Sequence, residues 1–155
     1  MAILNFLGRV NIAVRIVTEK YPDAQLYEVN GVSSTGSTTD PLKIDQLRVV
    51  FHNSNNTTVI IKSTSWGEFG EPELIPQIWV GDVVIQWPVK MDLTEANQLK
   101  EAAGYKAPYN AVTLRNPLGA VKSNPCYIFN SDHKGTYIFV DTITKEVYTG
   151  VGLLK

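Results

Sequence analysis

The chain has 155 residues, of which 44% are hydrophobic, 10% aromatic and 19% charged, the profile of one ordinary globular domain. Fourteen Lys and Arg against fifteen Asp and Glu leave a formal charge of -1, which argues against a nucleic-acid partner held by phosphate neutralisation. One cysteine, Cys126, excludes an intrachain disulfide and a Cys-rich zinc site; two histidines, His52 and His133, leave little room for His-based chemistry, and neither metal nor cofactor is expected.

The amino-terminal segment is rich in apolar residues, from Ile3 through Phe6, Leu7, Val10 and Val14 to Val17, but Asn5, Arg9, Asn11 and Arg15 interrupt it. It has no unbroken apolar core of signal-peptide length, and no stretch approaches the roughly 18 apolar residues of a membrane span, so a cytoplasmic or otherwise non-classically routed protein with no membrane partner is expected. Instead the apolar positions recur every three or four residues, which predicts an amphipathic helix over Ile3 to Lys20 lying on a sheet. Tyr21-Pro22-Asp23 ends it. A strand over Ala24 to Val29 follows, then a turn at Asn30-Gly31 and a Ser/Thr/Gly loop from Ser33 to Thr39.

Gln46 to Phe51 and Thr57 to Ser63 read as a hairpin tipped by Asn53-Ser54-Asn55-Asn56, with Leu47, Val49, Phe51, Val59 and Ile61 facing the first helix. Gln77 to Val80, Gly81-Asp82 and Val83 to Trp87 read as a second hairpin on a two-residue turn, pairing Val80 with Val83, Trp79 with Val84, Ile78 with Ile85 and Gln77 with Gln86. Asp92-Leu93-Thr94-Glu95 fits a capping box that opens a second helix stopped at Gly104. Strands are then predicted over Ala111 to Leu114, Cys126 to Asn130, Thr136 to Asp141 and Glu146 to Thr149. Together these describe one α+β domain over residues 1–155, with two helices packed on one face of a curved antiparallel sheet. Helix 1 into Tyr21-Pro22 and helix 2 into Tyr105 to Tyr109 suggest two related α-then-β halves, 1–90 and 91–155.

The closing stretch, Phe139-Val140-Asp141, Thr142 to Lys145 and Glu146-Val147, resembles the last hairpin of PepSY-type modules, and the helix-then-sheet layout is similar to the broader cystatin-like group. The resemblance covers about a dozen residues, and its turn lacks the usual Gly. It implies a non-enzymatic module that binds peptides or restrains proteases. Against the Gln-x-Val-x-Gly tip of inhibitory cystatins, Gln77-Ile78-Trp79-Val80-Gly81 keeps the first and last residues but has Trp79 in place of Val.

Alternation places Ile78, Val80, Val83, Ile85 and Trp87 on a core face and Gln77, Trp79, Val84 and Gln86 on the other. Trp79 between Gln77 and Gln86 is a candidate platform for a sugar ring or a partner side chain; the plain alternative is that a second layer covers it. The loop from Ser65 to Glu73 brings Trp66, Glu68 and Phe69 forward as candidate binding residues, against the reading of an ordinary solvated loop. His133 beside Asp132, His52 at a strand end and Cys126 in an apolar run read as turn, rim and core residues. No catalytic residue stands out, so the expected function is a non-enzymatic binding module for a protein or peptide, a protease inhibitor in its narrower form. The alternatives are a carbohydrate-binding protein using Trp79 or Trp66, and a small enzyme with a dispersed site. Exposed sheet edges leave a homodimer open.

Overall fold

The computed structural model describes residues 4–78, 82–117, 124–130 and 136–151. Helix α1 spans Phe6–Lys20 and is capped by Asn5, whose side chain accepts from the Gly8 N–H at 2.7 Å. Strand β1 (Gln25–Val32) follows, then a single 3₁₀ turn at Pro41–Lys43, β2 (Gln46–Asn53) and β3 (Thr57–Ser65). Short strands β4 (Glu68–Phe69), β5 (Glu73–Ile75) and β6 (Asp82–Val83) lead to helix α2 (Leu93–Ala102). Strands β7 (Ala111–Pro117), β8 (Cys126–Asn130), β9 (Thr136–Asp141) and β10 (Val147–Val151) complete the order.

All ten strands belong to one antiparallel sheet, ordered β10-β9-β8-β7-β1-β2-β3-β4, with β5 also paired to β3 and β6 to β7. The expectation of two helices packed on a sheet is therefore corrected: the fold is dominated by its sheet. The physical reason lies in the supply of buried surface. α1 gives the buried Phe6, Val10, Ala13 and Val17 to the main core and α2 gives the buried Leu93 and Ala96 with Leu99 partly buried beside them, whereas strands from β1 to β9 supply most of the remaining side chains. The two α-then-β halves read from the sequence enter one continuous sheet, joined where β1 pairs with β7.

Two local expectations also change. Asn30-Gly31 is not a turn: β1 runs through both residues, with Gly31 opposite Leu47 of β2 and Val112 of β7. A side chain at Gly31 would meet Ile44 Cγ2 at 2.6 Å, so here glycine serves close packing. Asp82, expected in a hairpin turn, stands in β6 opposite Pro117 of β7. Ile78 is 53% exposed while Ile85 is buried and donates its N–H to the Leu26 carbonyl, so these two do not share a core face. The sequence before Ile78 is already committed elsewhere, because β5 pairs with β3 and the Thr58 hydroxyl donates to the Gln77 carbonyl. Trp79, Val80 and Gly81 lie outside the described residues, as does His133.

The expected hairpin of β2 and β3 forms, with Phe51 opposite Val59 and Val49 opposite Ile61, and turns at Asn55 and Asn56, both in the left-handed region. Leu47, Val49, Phe51, Val59 and Ile61 join the core with α1. On the opposite side of the sheet Tyr27, Val50 and Ile60 form a small cluster with Ile75 and Val84, and Cys126, Ile128 and Phe139 form another.

Candidate functional site

The start of α2 and the tip of the β9–β10 hairpin meet across a cleft of about 680 Å³, a size suited to a small ligand or a few side chains of a partner. Its apolar lining comes from Pro88, Val89, Met91 and Pro125, and its polar rim includes Lys90, Glu95, Asn116 and Lys145. Local chemistry fixes each wall. The Asp92 carboxylate caps α2 through the Thr94 N–H and also accepts from the Leu7 N–H of α1 at 2.9 Å, so one side chain ties the two helix starts together. Met91, just before that cap, is held by the Tyr127 hydroxyl, which donates to its carbonyl at 2.8 Å from inside the core.

The opposite wall is the β9–β10 turn. Asp141 accepts from the Ile143 and Thr144 N–H groups at 2.8 and 2.9 Å and from the Asn124 amide at 3.1 Å. Burial works against its ionisation, but these donors outweigh it and hold its carboxyl below the ordinary range. The Thr142 hydroxyl donates to the Pro125 carbonyl at 2.7 Å, and Lys145 closes the turn with φ of 64°. The clamped turn leaves Ile143 pointing outward at 64% exposure, the largest value among the exposed large apolar side chains of the described residues. Across the cleft, Lys145 meets Glu95 at 3.1 Å. Glu95 was expected to reach back in a capping box; its ion pair with Lys145 directs it across the cleft.

The sequence-chosen residues do not form a single site. Gln86 is exposed and lines this cleft, as well as a smaller one of about 220 Å³ beside Leu26, Phe51 and Trp87. Gln77 is exposed at the β5 side of the sheet, where its carbonyl is held by Thr58. Trp66, Glu68 and Phe69 do lie together, on the β3–β4 hairpin next to α1. Glu68 is exposed and accepts from the Ser65 hydroxyl at 2.5 Å, whereas Phe69 is half-buried against the core. One face of the half-buried Trp66 ring is covered by the Arg9 guanidinium, 3.6 Å from its centroid. Arg9 had been read only as an interruption of the apolar run; its place between Phe6 and Val10, on the core-facing stripe, was the signal that it would be buried.

Cys126 is buried, and desolvation pushes its thiol up to about 11, against the reactive thiolate form. His52 lies against the Tyr27 ring at 5.3 Å. Among the described residues no group of three His, Cys, Asp or Glu side chains is placed to hold a metal ion, and no helix is long and apolar enough to cross a membrane. Sequence reading missed Lys90, Glu95, Ile143 and Lys145, because the two walls of the cleft are some 50 positions apart in the chain.

The chain matches no protein-family model and no curated protein. A solved structure of a putative lipoprotein from Clostridium difficile 630 superposes over 95% of this chain and 99% of that one, with a TM-score of 0.64 and 13% sequence identity. The likeness is one of fold. At this identity a shared arrangement of helices and strands carries no shared site with it.

Proposed function

We propose that the chain is a binding module that receives an apolar segment of a protein or peptide in the cleft between the α2 start and the β9–β10 turn. The observation that carries this reading is the exposed Ile143, held out by a rigid turn beside an apolar-lined cleft with a charged rim. Binding energy concentrates where an apolar anchor meets a preformed cavity, and a clamped turn loses little freedom on docking. The charged rim of Lys90, Lys145 and Glu95 would set orientation more than affinity.

A phage-displayed peptide library panned on the protein, followed by calorimetric titration of the enriched peptides, tests the proposal. Ile143→Asp is expected to weaken those peptides at least tenfold and Lys90→Glu to change their sequence preference. A library that yields no binder, or peptides that bind Ile143→Asp as well as the parent, would overturn it. Titration against cysteine, serine and aspartic proteases tests the narrower form, inhibition of a protease, which is lost if none is inhibited at micromolar excess.

A further inference from the structure

Among the described residues, a buried cation without a hydrogen-bond partner on two of its nitrogens lies away from the cleft. Arg9 is 2% exposed on the core side of α1, with its guanidinium over the Trp66 ring at 3.6 Å and near the Phe6 ring at 5.8 Å. No carboxylate among the described residues pairs with it, and its Nε and Nη1 are buried without a hydrogen-bond acceptor. Trp66 Nε1 is in the same condition. The two carboxylates that act on Arg9 from a distance, Asp92 and Asp45, are engaged elsewhere. Asp92 accepts from Leu7 and Thr94, and Asp45 from the Ser34 N–H and hydroxyl. Burial brings the Arg9 pKa down to about 10, which still leaves a cation at neutral pH.

Buried donors without acceptors are unfavourable, and a desolvated cation is the most unfavourable of them. Here the unpartnered groups are all donors, two of them on a guanidinium, and they are gathered about one ring contact. A neutral acceptor would satisfy the hydrogen bonds but leave the charge. An oxyanion would satisfy both. Trp66 is half-buried at the turn between β3 and β4, so the guanidinium lies one side chain below the surface. None of these residues lines the cleft described above.

We propose that Arg9 and Trp66 form a second binding site, for the oxyanion of a small carboxylate or phosphate compound, in which the guanidinium and the indole N–H donate to the bound oxygens. The test is an NMR titration of the full chain with inorganic phosphate and, separately, with acetate, each at ionic strength held constant with sodium chloride. The Trp66 indole N–H signal is identified by its loss in Trp66→Phe. One of the two anions is expected to shift that signal saturably, which tells a phosphate site from a carboxylate site, and Arg9→Met is expected to weaken the effect at least tenfold. Arg9→Met removes a buried charge and is expected to fold, as near-ultraviolet circular dichroism would show; Arg9→Gln serves in its place if it does not. A signal that neither anion moves beyond the chloride control, or one that moves equally in the Arg9 variant, would overturn the proposal.

Discussion

At Gly31 a single hydrogen atom decides whether the middle of the sheet can close. Its neighbours are Ile44, Leu47 and Phe6, at 2.6, 3.3 and 3.4 Å from where a Cβ would stand, and all three are core side chains. Gly31→Ala is expected to cost about 1–3 kcal/mol through overpacking, measured by urea unfolding. Combined with Ile44→Ala, which removes the closest atom, the loss should be smaller than the sum of the two single losses, a coupling that a double-mutant cycle reads directly. Asp141 offers a test by pH. Its carboxyl is held below the ordinary value of about 3.9, so the ionised form stabilises the fold fully above that value and the benefit disappears as pH falls through the lowered one. Asp141→Asn is expected to lose about 1–2 kcal/mol at neutral pH and to show a shallower loss of stability on acidification, followed by urea unfolding at a series of pH values.

At the scale of elements, Asp92 joins two helices that share no sequence neighbourhood. An ordinary cap removed by alanine costs about 1 kcal/mol, and Asn5→Ala at the start of α1 should behave so. Asp92→Ala strips a partner from Thr94 and from Leu7 together, and is expected to cost about 2 kcal/mol, with the excess measured by urea unfolding of the two variants side by side. Asp92 as a helix start was legible from its neighbours Leu93, Thr94 and Glu95, and so were the carboxy-terminal end of α1 and the hairpins around Asn55-Asn56 and Thr142 to Lys145, because capping and tight turns are written within a few residues; the start of α1 was not, since Asn5, its cap, was read as an interruption of a helix expected from Ile3. The partner of β6 was not. Val83 to Ile85 carry the same alternation whether they fold back on Gln77 to Val80 or pair with β7 and β1, and periodicity names a face without naming the strand beside it. For the same reason the sequence pointed to Gln86 but not to Ile143, whose value as a candidate contact comes from a cleft whose opposite wall, at the start of α2, lies far from it in the sequence. Arg9 was misjudged because a charged residue inside an apolar stripe reads as a break in the pattern, when its spacing from Phe6 and Val10 marks it as buried.

For the whole molecule, protection should follow position in the sheet. β1 is hydrogen-bonded on both sides, to β2 and to β7, while β10 and β4 end the strand order. Amide exchange is expected to be slowest for Val29 and Gly31 and several orders of magnitude faster in Glu68 and Phe69, as hydrogen–deuterium exchange would show. The same pairing of β1 with β7 also sets a clock. During synthesis the ribosome adds about 80 residues between the end of β1 and the start of β7, which takes roughly 4 to 16 seconds at ordinary elongation rates. Within that interval β2 and β3 are made and can assemble on β1, yet one long side of β1 has no neighbour of its own, and its Val29 to Val32 segment is open to strands from other nascent chains. The strand that ends most protected thus begins as the most vulnerable edge, and sequence changes that delay β7 should appear first as lost yield, before any change in the finished fold.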